Sequence, residues 1–357
     1  MKRSLLIAIP LLLCVVVAAW WTRPHSKSPG DGYVSEPATT LWSSMAQVKE
    51  SVGTLHYGDR VQILERRGER VRVRTTPGAV GWLDARALMN PSLWQLSTQL
   101  LAQAQDIPVQ ARGRTKVSTN IRIEPGRGGA RLYQFGRGAQ VEVLARAVAV
   151  WANYSDEGGA AVRDPGEEQK KEDWYLIRGQ ATSSLGGGTD TGAKAKDVAG
   201  PAESSDQSVP IAGWIVARFI ELDLPEPIHG YAVASGARVM AWFELNPVSG
   251  LSGGKPALLA AIIRGPEGQA CDFSMIRVYT WSARGSRYET SHVERNLCGK
   301  LPIRVGKGAT GEPEFHFTNN GPRGTEERMY RMKQNVVRRV RQGDEMPKAP
   351  RGTTPAR

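Results

Sequence analysis

The chain is poor in the residues that metal and thiol chemistry need. Its 357 residues include five histidines and three cysteines. None of the histidines (His25, His56, His229, His292, His316) pairs with another ligand at metal-site spacing, and neither CxxC nor HExxH occurs. That pattern excludes the common zinc sites, so no metal and no cofactor is expected. A G-x-S-x-G elbow, a Walker loop and a dinucleotide fingerprint are also missing. Their absence removes the hydrolases built on the elbow and the usual phosphate cradles. Long apolar runs are missing too, with one exception at the very start.

That exception runs from Leu5 to Trp21 behind Lys2 and Arg3. At about 1.5 Å per helical residue it spans roughly 25 Å, enough for a single-pass transmembrane helix. The two basic residues keep the N-terminus inside, which places everything after Trp21 outside the cytoplasm. Trp20 and Trp21 sit where interfacial aromatics belong. Val17-Ala18-Ala19 offers a signal-peptidase site instead, giving a secreted or periplasmic protein. Lipidation at Cys14 is disfavoured by Leu13 before it and the apolar residues after it. These alternatives agree on export.

What is present points to β structure. There are 39 Gly and 22 Pro, which call for many turns, and 40% hydrophobic residues, enough for a real core. The length suits two or three domains. The net charge is +12, and half of that excess lies in Arg323–Arg357, where ten Lys/Arg face four Asp/Glu. A solvated basic tail accounts for it. A nucleic-acid partner is not expected, because export conflicts with it and no aromatic-basic motif of that kind appears. Cys271 and Cys298 form the one cysteine pair beyond the N-terminus. In an oxidising compartment they can close a disulfide, and two buried thiols are the alternative; the sequence leaves both open.

The chain repeats itself. Leu55, Gly58, Val61, Ile63 and Leu64 recur as Phe135, Gly138, Val141, Val143 and Leu144, at a constant offset of 80. Gly81-Trp82-Leu83-Asp84-Ala85-Arg86-Ala87-Leu88 recurs as Gly213-Trp214-Ile215-Val216-Ala217-Arg218-Phe219-Ile220. One small β module is therefore present twice. The second copy is interrupted on both sides of Trp174-Tyr175-Leu176-Ile177-Arg178 by polar stretches at 155–171 and 180–208, expected to be disordered insertions. Between the copies, Leu93, Leu96, Leu100 and Leu101 fall at helical spacing, with Pro91 before and Pro108 after them. Beyond an acidic linker at Leu222–Glu226, a third region starts near Ile228, with strands at Val239–Leu245, Leu258–Ile263, Met275–Trp281, Leu301–Val305 and Glu314–Phe317. One hairpin is Met275–Trp281 with Arg287–His292. Met329–Arg341 suits either a helix face or a hairpin turning at Asn335.

The repeat resembles the bacterial SH3 family. The residues that carry the resemblance are Leu55-x-x-Gly58-x-x-Val61, Phe135-x-x-Gly138-x-x-Val141, Trp174-Tyr175-Leu176, Asn120-Ile121-Arg122, and the Gly-Trp-aliphatic steps Gly81-Trp82-Leu83 and Gly213-Trp214-Ile215. The first copy departs from the pattern, with Pro37-Ala38-Thr39-Thr40 in the first strand and Arg70 in place of the strand Trp. The C-terminal region resembles an uncharacterised β-rich domain that follows such modules in other exported proteins. The resemblance implies an all-β chain. It would carry a membrane anchor (1–31), an SH3-like barrel (32–90), a helical linker (91–114), a second barrel (115–222), a β-rich domain (228–343) and a disordered tail (344–357). It also implies a non-catalytic role, binding cell-wall peptide, peptidoglycan or an envelope protein. Trp42, Tyr57, Tyr133 and Trp174 are the candidates for an aromatic peptide groove. Gly58, Gly138, Gly81, Gly213, Trp82 and Trp214 are expected to be structural.

An accessory or regulatory subunit of a wall hydrolase is the related alternative. A cysteine peptidase is the enzymatic rival, because bacterial SH3 modules often accompany one whose nucleophile opens a helix in an Asp-Cys-Ser-Gly run. The nearest match is Ala270-Cys271-Asp272-Phe273-Ser274, with His292 and His316 as bases. Its Asp is on the wrong side and its flanks read as strand, so the expectation is that the chain is not an enzyme.

Overall fold

The computed structural model describes residues 30–151, 170–182, 208–245 and 255–340. The apolar run Leu5–Trp21, Cys14, most of both insertions and the tail 344–357 lie outside these residues. Among the described residues no helix is long and apolar enough to cross a membrane. The chain divides into two compact units, one reaching Trp94 and the other starting at Gln95.

The first unit is an all-antiparallel ladder of β1 (Asp31–Val34), β2 (Ala38–Trp42), β3 (Ser51–His56), β4 (Arg60–Arg67), β5 (Arg70–Thr75), β6 (Val80–Asp84) and β7 (Leu88–Met89), in the order β3-β2-β6-β5-β4-β1-β7. Strand alternation explains the core: in β5 Val71 and Val73 point inward while Arg72 and Arg74 stay exposed. The inward residues meet Val34, Leu41, Leu55, Val61 and Leu83 in one apolar cluster. Tyr33 stacks on Trp94 with ring centroids 4.8 Å apart, and Tyr57 tilts against the same indole at 5.9 Å.

The second unit opens with the rest of α1 (Pro91–Gln105), a helix whose N-terminus is capped by Asn90, the Leu93 N–H donating to its side-chain oxygen at 2.7 Å. There follow β8 (Ala111–Thr115), β9 (Thr119–Arg122), β10 (Arg131–Phe135), β11 (Gln140–Val150), β12 (Lys171–Thr182), β13 (Ser208–Val216) and β14 (Ile220–Leu222). Their order is β10-β9-β13-β12-β11-β8-β14, which is the first ladder strand for strand. A short 3₁₀ turn precedes the last strand in both copies, at Ala85–Ala87 and Ala217–Phe219. The second module begins at Ala111, four residues earlier than expected, because β8 supplies the edge on which β11 and β14 pair. Pairing also runs past the expected loop limits: Val150 pairs with Lys171, and Thr182 with Ser208.

Neither sheet closes into the barrel that the resemblance implies. Closure would pair β3 with β7, but β7 has only two residues and spends them on β1. The repeated glycines have two separate reasons. Gly58 and Gly138 sit at φ +88° and +82°, where a side chain is strained. Gly81 and Gly213 lie under a neighbouring strand, where a Cβ would come within 2.8 Å of the Trp42 carbonyl and 3.0 Å of the Arg122 carbonyl.

The C-terminal part adds α2 (Glu226–Ser235), the meander β15 (Arg238–Leu245), β16 (Ala257–Ile263), β17 (Met275–Ser282), β18 (Arg287–Glu294), and a second meander β19 (Gly299–Lys307), β20 (Pro313–Gly321), β21 (Gly324–Lys333), β22 (Val336–Val340). Helix α2 was not expected; it occupies the stretch between the linker and the first strand, which begins at Arg238 against an expected Val239. Gly230 and two β-branched residues mask its periodicity, and it is held by tertiary packing, with Ile228 fully buried on Val239, Leu258 and Ile262. Gly236 at φ +60° ends it. The 329–341 ambiguity resolves as the β21–β22 hairpin, turning through Gln334 and Asn335. Tyr330 and Met332 face inward at period two. Strand β16 is buried at all seven positions, so both faces of the sheet are covered at that strand.

Candidate functional site

The four groove candidates do not assemble a groove. Tyr57, Tyr133 and Trp174 are 6%, 3% and 1% exposed, which leaves almost no surface for a ligand. They occupy inward or tightly packed positions: Tyr133 lies edge-on to Phe135 at 5.2 Å, and Trp174 fills the second module with its indole N–H buried and without a partner among the described residues. Trp42 alone is half-buried, with the Lys49 ammonium 4.4 Å from its ring. Trp82 is buried in the first module, and Trp214 packs beside Leu100, Leu101 and Leu176 in the second.

Cys271 and Cys298 are joined as a disulfide. In this bond Cys271 carries no free thiolate, which acyl chemistry needs. Of the two proposed bases His316 is engaged, its ring nitrogen bonding Glu327 at 2.5 Å, while the His292 Nε2 lies 3.9 Å from Glu294.

The disulfide loop is instead part of a buried ionic junction inside the second unit. Arg146 on β11 is fully buried. It donates to Asp173 on β12 at 2.5 Å, to Asp272 at 2.9 Å, and to the Cys271 and Gln269 carbonyls at 3.1 and 2.9 Å. Asp173 also accepts from Arg238 at 2.5 Å and from the Gly268 N–H at 2.8 Å. Asp272 also accepts from the Leu301 N–H at 2.9 Å. Burial pushes the Asp173 carboxyl up, but Arg146, Arg238 and the Gly268 amide outweigh it, and its pKa ends below the ordinary value. Beside this lock, Gln110 exchanges two hydrogen bonds with Ile303, at 2.7 and 3.1 Å. The second module and the C-terminal sheets are thus welded together.

An open cleft of about 490 Å³ lies on the C-terminal meander. Its floor is β17, where alternation puts Arg277, Tyr279 and Trp281 on one face. Its walls are α2, through Glu226 and Tyr231, and β18, through Tyr288 and Thr290. The Arg277 guanidinium sits 4.2 Å from the Tyr231 ring and 5.1 Å from the Tyr279 ring, and its Nε donates to the Thr290 hydroxyl at 3.0 Å. The Lys255 ammonium lies 3.5 Å from the Trp281 ring. Tyr279 is 4% exposed, and its hydroxyl has no partner among the described residues. Burial pushes its pKa up to about 12, so it is a neutral donor. Tyr231 moves the other way: burial would raise it, but the Arg264 side chain bonding its hydroxyl at 3.2 Å leads the groups that pull it down.

The β17–β18 hairpin is legible in the sequence, but this cleft is not. The Arg277-x-Tyr279-x-Trp281 alternation was the available signal. The missing part was α2, whose wall turns an exposed strand face into a cavity. Among the described residues no group of His, Cys, Asp or Glu could hold a metal ion.

No protein-family model and no curated protein matches the chain. Among solved structures, NlpC2 from Trichomonas vaginalis aligns with 88% of this chain and 97% of its own, at 11% identity and a TM-score of 0.17. An NlpC/P60 family protein from Bacillus cereus aligns with 88% of this chain and 95% of its own, at 11% identity and a TM-score of 0.21. TM-scores this low carry no argument about fold or activity.

Proposed function

We propose that this chain is a non-catalytic binding or scaffold protein acting outside the cytoplasm at the cell envelope, where it holds cell-wall peptide or an envelope protein. In this reading the duplicated modules play the part of bacterial SH3 domains, and the C-terminal domain is a rigid extension of the second. The observation that carries it is the Cys271–Cys298 disulfide. Structural disulfides persist in oxidising compartments and are rare in the cytosol, which agrees with the export segment. The same bond consumes the thiol on which the peptidase alternative depends.

The test is retention of the purified full-length chain on insoluble peptidoglycan at low and high salt. Salt-resistant retention supports the reading. With a net charge of +12, non-specific adsorption to an anionic polymer is the competing outcome. It is lost as screening lengths fall from about 10 Å to about 3 Å between 0.1 and 1 M salt. Retention that disappears in this way overturns the proposal.

A further inference from the structure

We infer that the cleft between α2 and the β17–β18 hairpin is a receptor for a peptide carboxylate, with Arg277 as the group that binds it. The inference rests on the binding reading above and specifies where and how the peptide is held.

Three observations converge. The first is charge. Arg277 is half-buried and has no carboxylate partner among the described residues; Lys255 and Arg287, the latter paired with Glu289 at 3.2 Å, border the same cleft, and Glu226 stands in its α2 wall. A guanidinium fixed between two tyrosine rings and oriented by the Thr290 hydroxyl is prepared for a planar oxyanion, since no ordering remains to be done when the ligand arrives. The second is the Tyr279 hydroxyl, a buried donor left without an acceptor on the floor of the cleft. A buried polar group without a partner costs stability unless something supplies one, and the second oxygen of a carboxylate is a fitting acceptor.

The third is the backbone. β18 is the last strand of its sheet, and from Arg287 to Thr290 it pairs only with β17 among the described residues. An unpaired strand edge accepts an extended peptide as an added strand, with pockets for alternate side chains. The Trp281 and Tyr288 rings, 5.3 Å apart and edge to face, form an apolar step beside Arg277 on that path. The occupant is therefore an extended peptide that ends in, or displays, a carboxylate.

The experiment uses the full-length chain and three probes: a short acetylated alanine peptide with a free C-terminal carboxylate, its C-terminal amide, and an amide peptide carrying one internal Asp. Binding is followed by calorimetry and by the indole N–H resonance of Trp281. The free acid is expected to bind at least about tenfold more tightly than the amide, the usual scale for one charge-assisted pair. If the Asp peptide matches the free acid, a side-chain carboxylate is the natural ligand; if it behaves like the amide, a chain terminus is. R277Q should abolish the preference for acid over amide while keeping the wild-type melting temperature. E226Q should tighten binding of the acid by roughly threefold, a gain that misfolding cannot imitate. Equal binding of acid and amide, no binding of any probe, or an R277Q chain that keeps the preference overturns the inference. If R277Q stays on peptidoglycan like the wild type, the cleft is wrong and the envelope reading survives. If the acid binds the cleft but the chain is not retained on peptidoglycan, the reverse holds.

Discussion

Replacing Arg146 by Ala tests the claim that the second module and the C-terminal sheets are one mechanical body. The side chain is 0% exposed and lies between Asp173 at 0% and Asp272 at 6%. Its removal strands two buried carboxylates, and breaking a buried pair costs about 3–5 kcal/mol. Asp173 keeps Arg238 and the Gly268 amide, and Asp272 keeps Lys300 and the Leu301 amide, so the lower end of that range applies. For a unit of this size about 3 kcal/mol corresponds to a fall in Tm of roughly 6–12 °C. R146M should lose nearly as much, because it refills the space but leaves the charges stranded. R146K keeps a charge but not the planar fork that makes four hydrogen bonds, and should fall between the two and wild type. The assay is a thermal scan of each full-length variant at neutral pH. The transition of the unit ending at Trp94 serves as an internal reference that does not move. A loss below about 1 kcal/mol for both R146A and R146M would mean that the buried charges are solvated or re-paired at no cost and that the junction does not hold the two parts together.

Two further outcomes follow from the same junction. Reduction of Cys271–Cys298, which closes a chain separation of 27 residues, should cost about 3–4 kcal/mol by loop entropy. It should also shift the same transition as R146A in a scan with and without reductant. Acid should act on it too. The Asp173 carboxyl is held below its ordinary value of 3.8, so its contribution is complete above that value and is lost as pH falls through the lower folded-state one. A denaturation series should be flat from pH 7 to about pH 5 and drop below about pH 4; a drop already between pH 7 and 6 would contradict the assignment.

Much of the architecture was legible in the amino-acid sequence because it depends on local chemistry. The offset of 80 between Leu55-x-x-Gly58 and Phe135-x-x-Gly138 located the duplication. The Arg70–Arg74 alternation located β5, and Pro91 with the leucine spacing located α1. These signals survive in one dimension because strand pleat, helix period and glycine dihedrals are set within a few residues. Aromatic type, by contrast, did not predict role. Tyr57, Tyr133 and Trp174 suit a groove or a core by composition; strand direction placed Tyr133 and Trp174 inside, and the β3–β4 turn set Tyr57 against Trp94. Helix α2 escaped because ten residues containing Gly230 have little helical preference of their own.

By itself, then, the sequence determined the β class, the two copies of one module and the single cysteine pair beyond the N-terminal apolar run. Tertiary structure alone decided whether the modules close, which aromatics face solvent, and what Arg146 and Arg277 do. The physical reason is distance along the chain. Arg146 meets Asp272 across 126 positions, and Gln110 meets Ile303 across 193. No local pattern encodes such a meeting. It is fixed by packing, which buries one arginine among carboxylates and leaves the other at the floor of an open cleft.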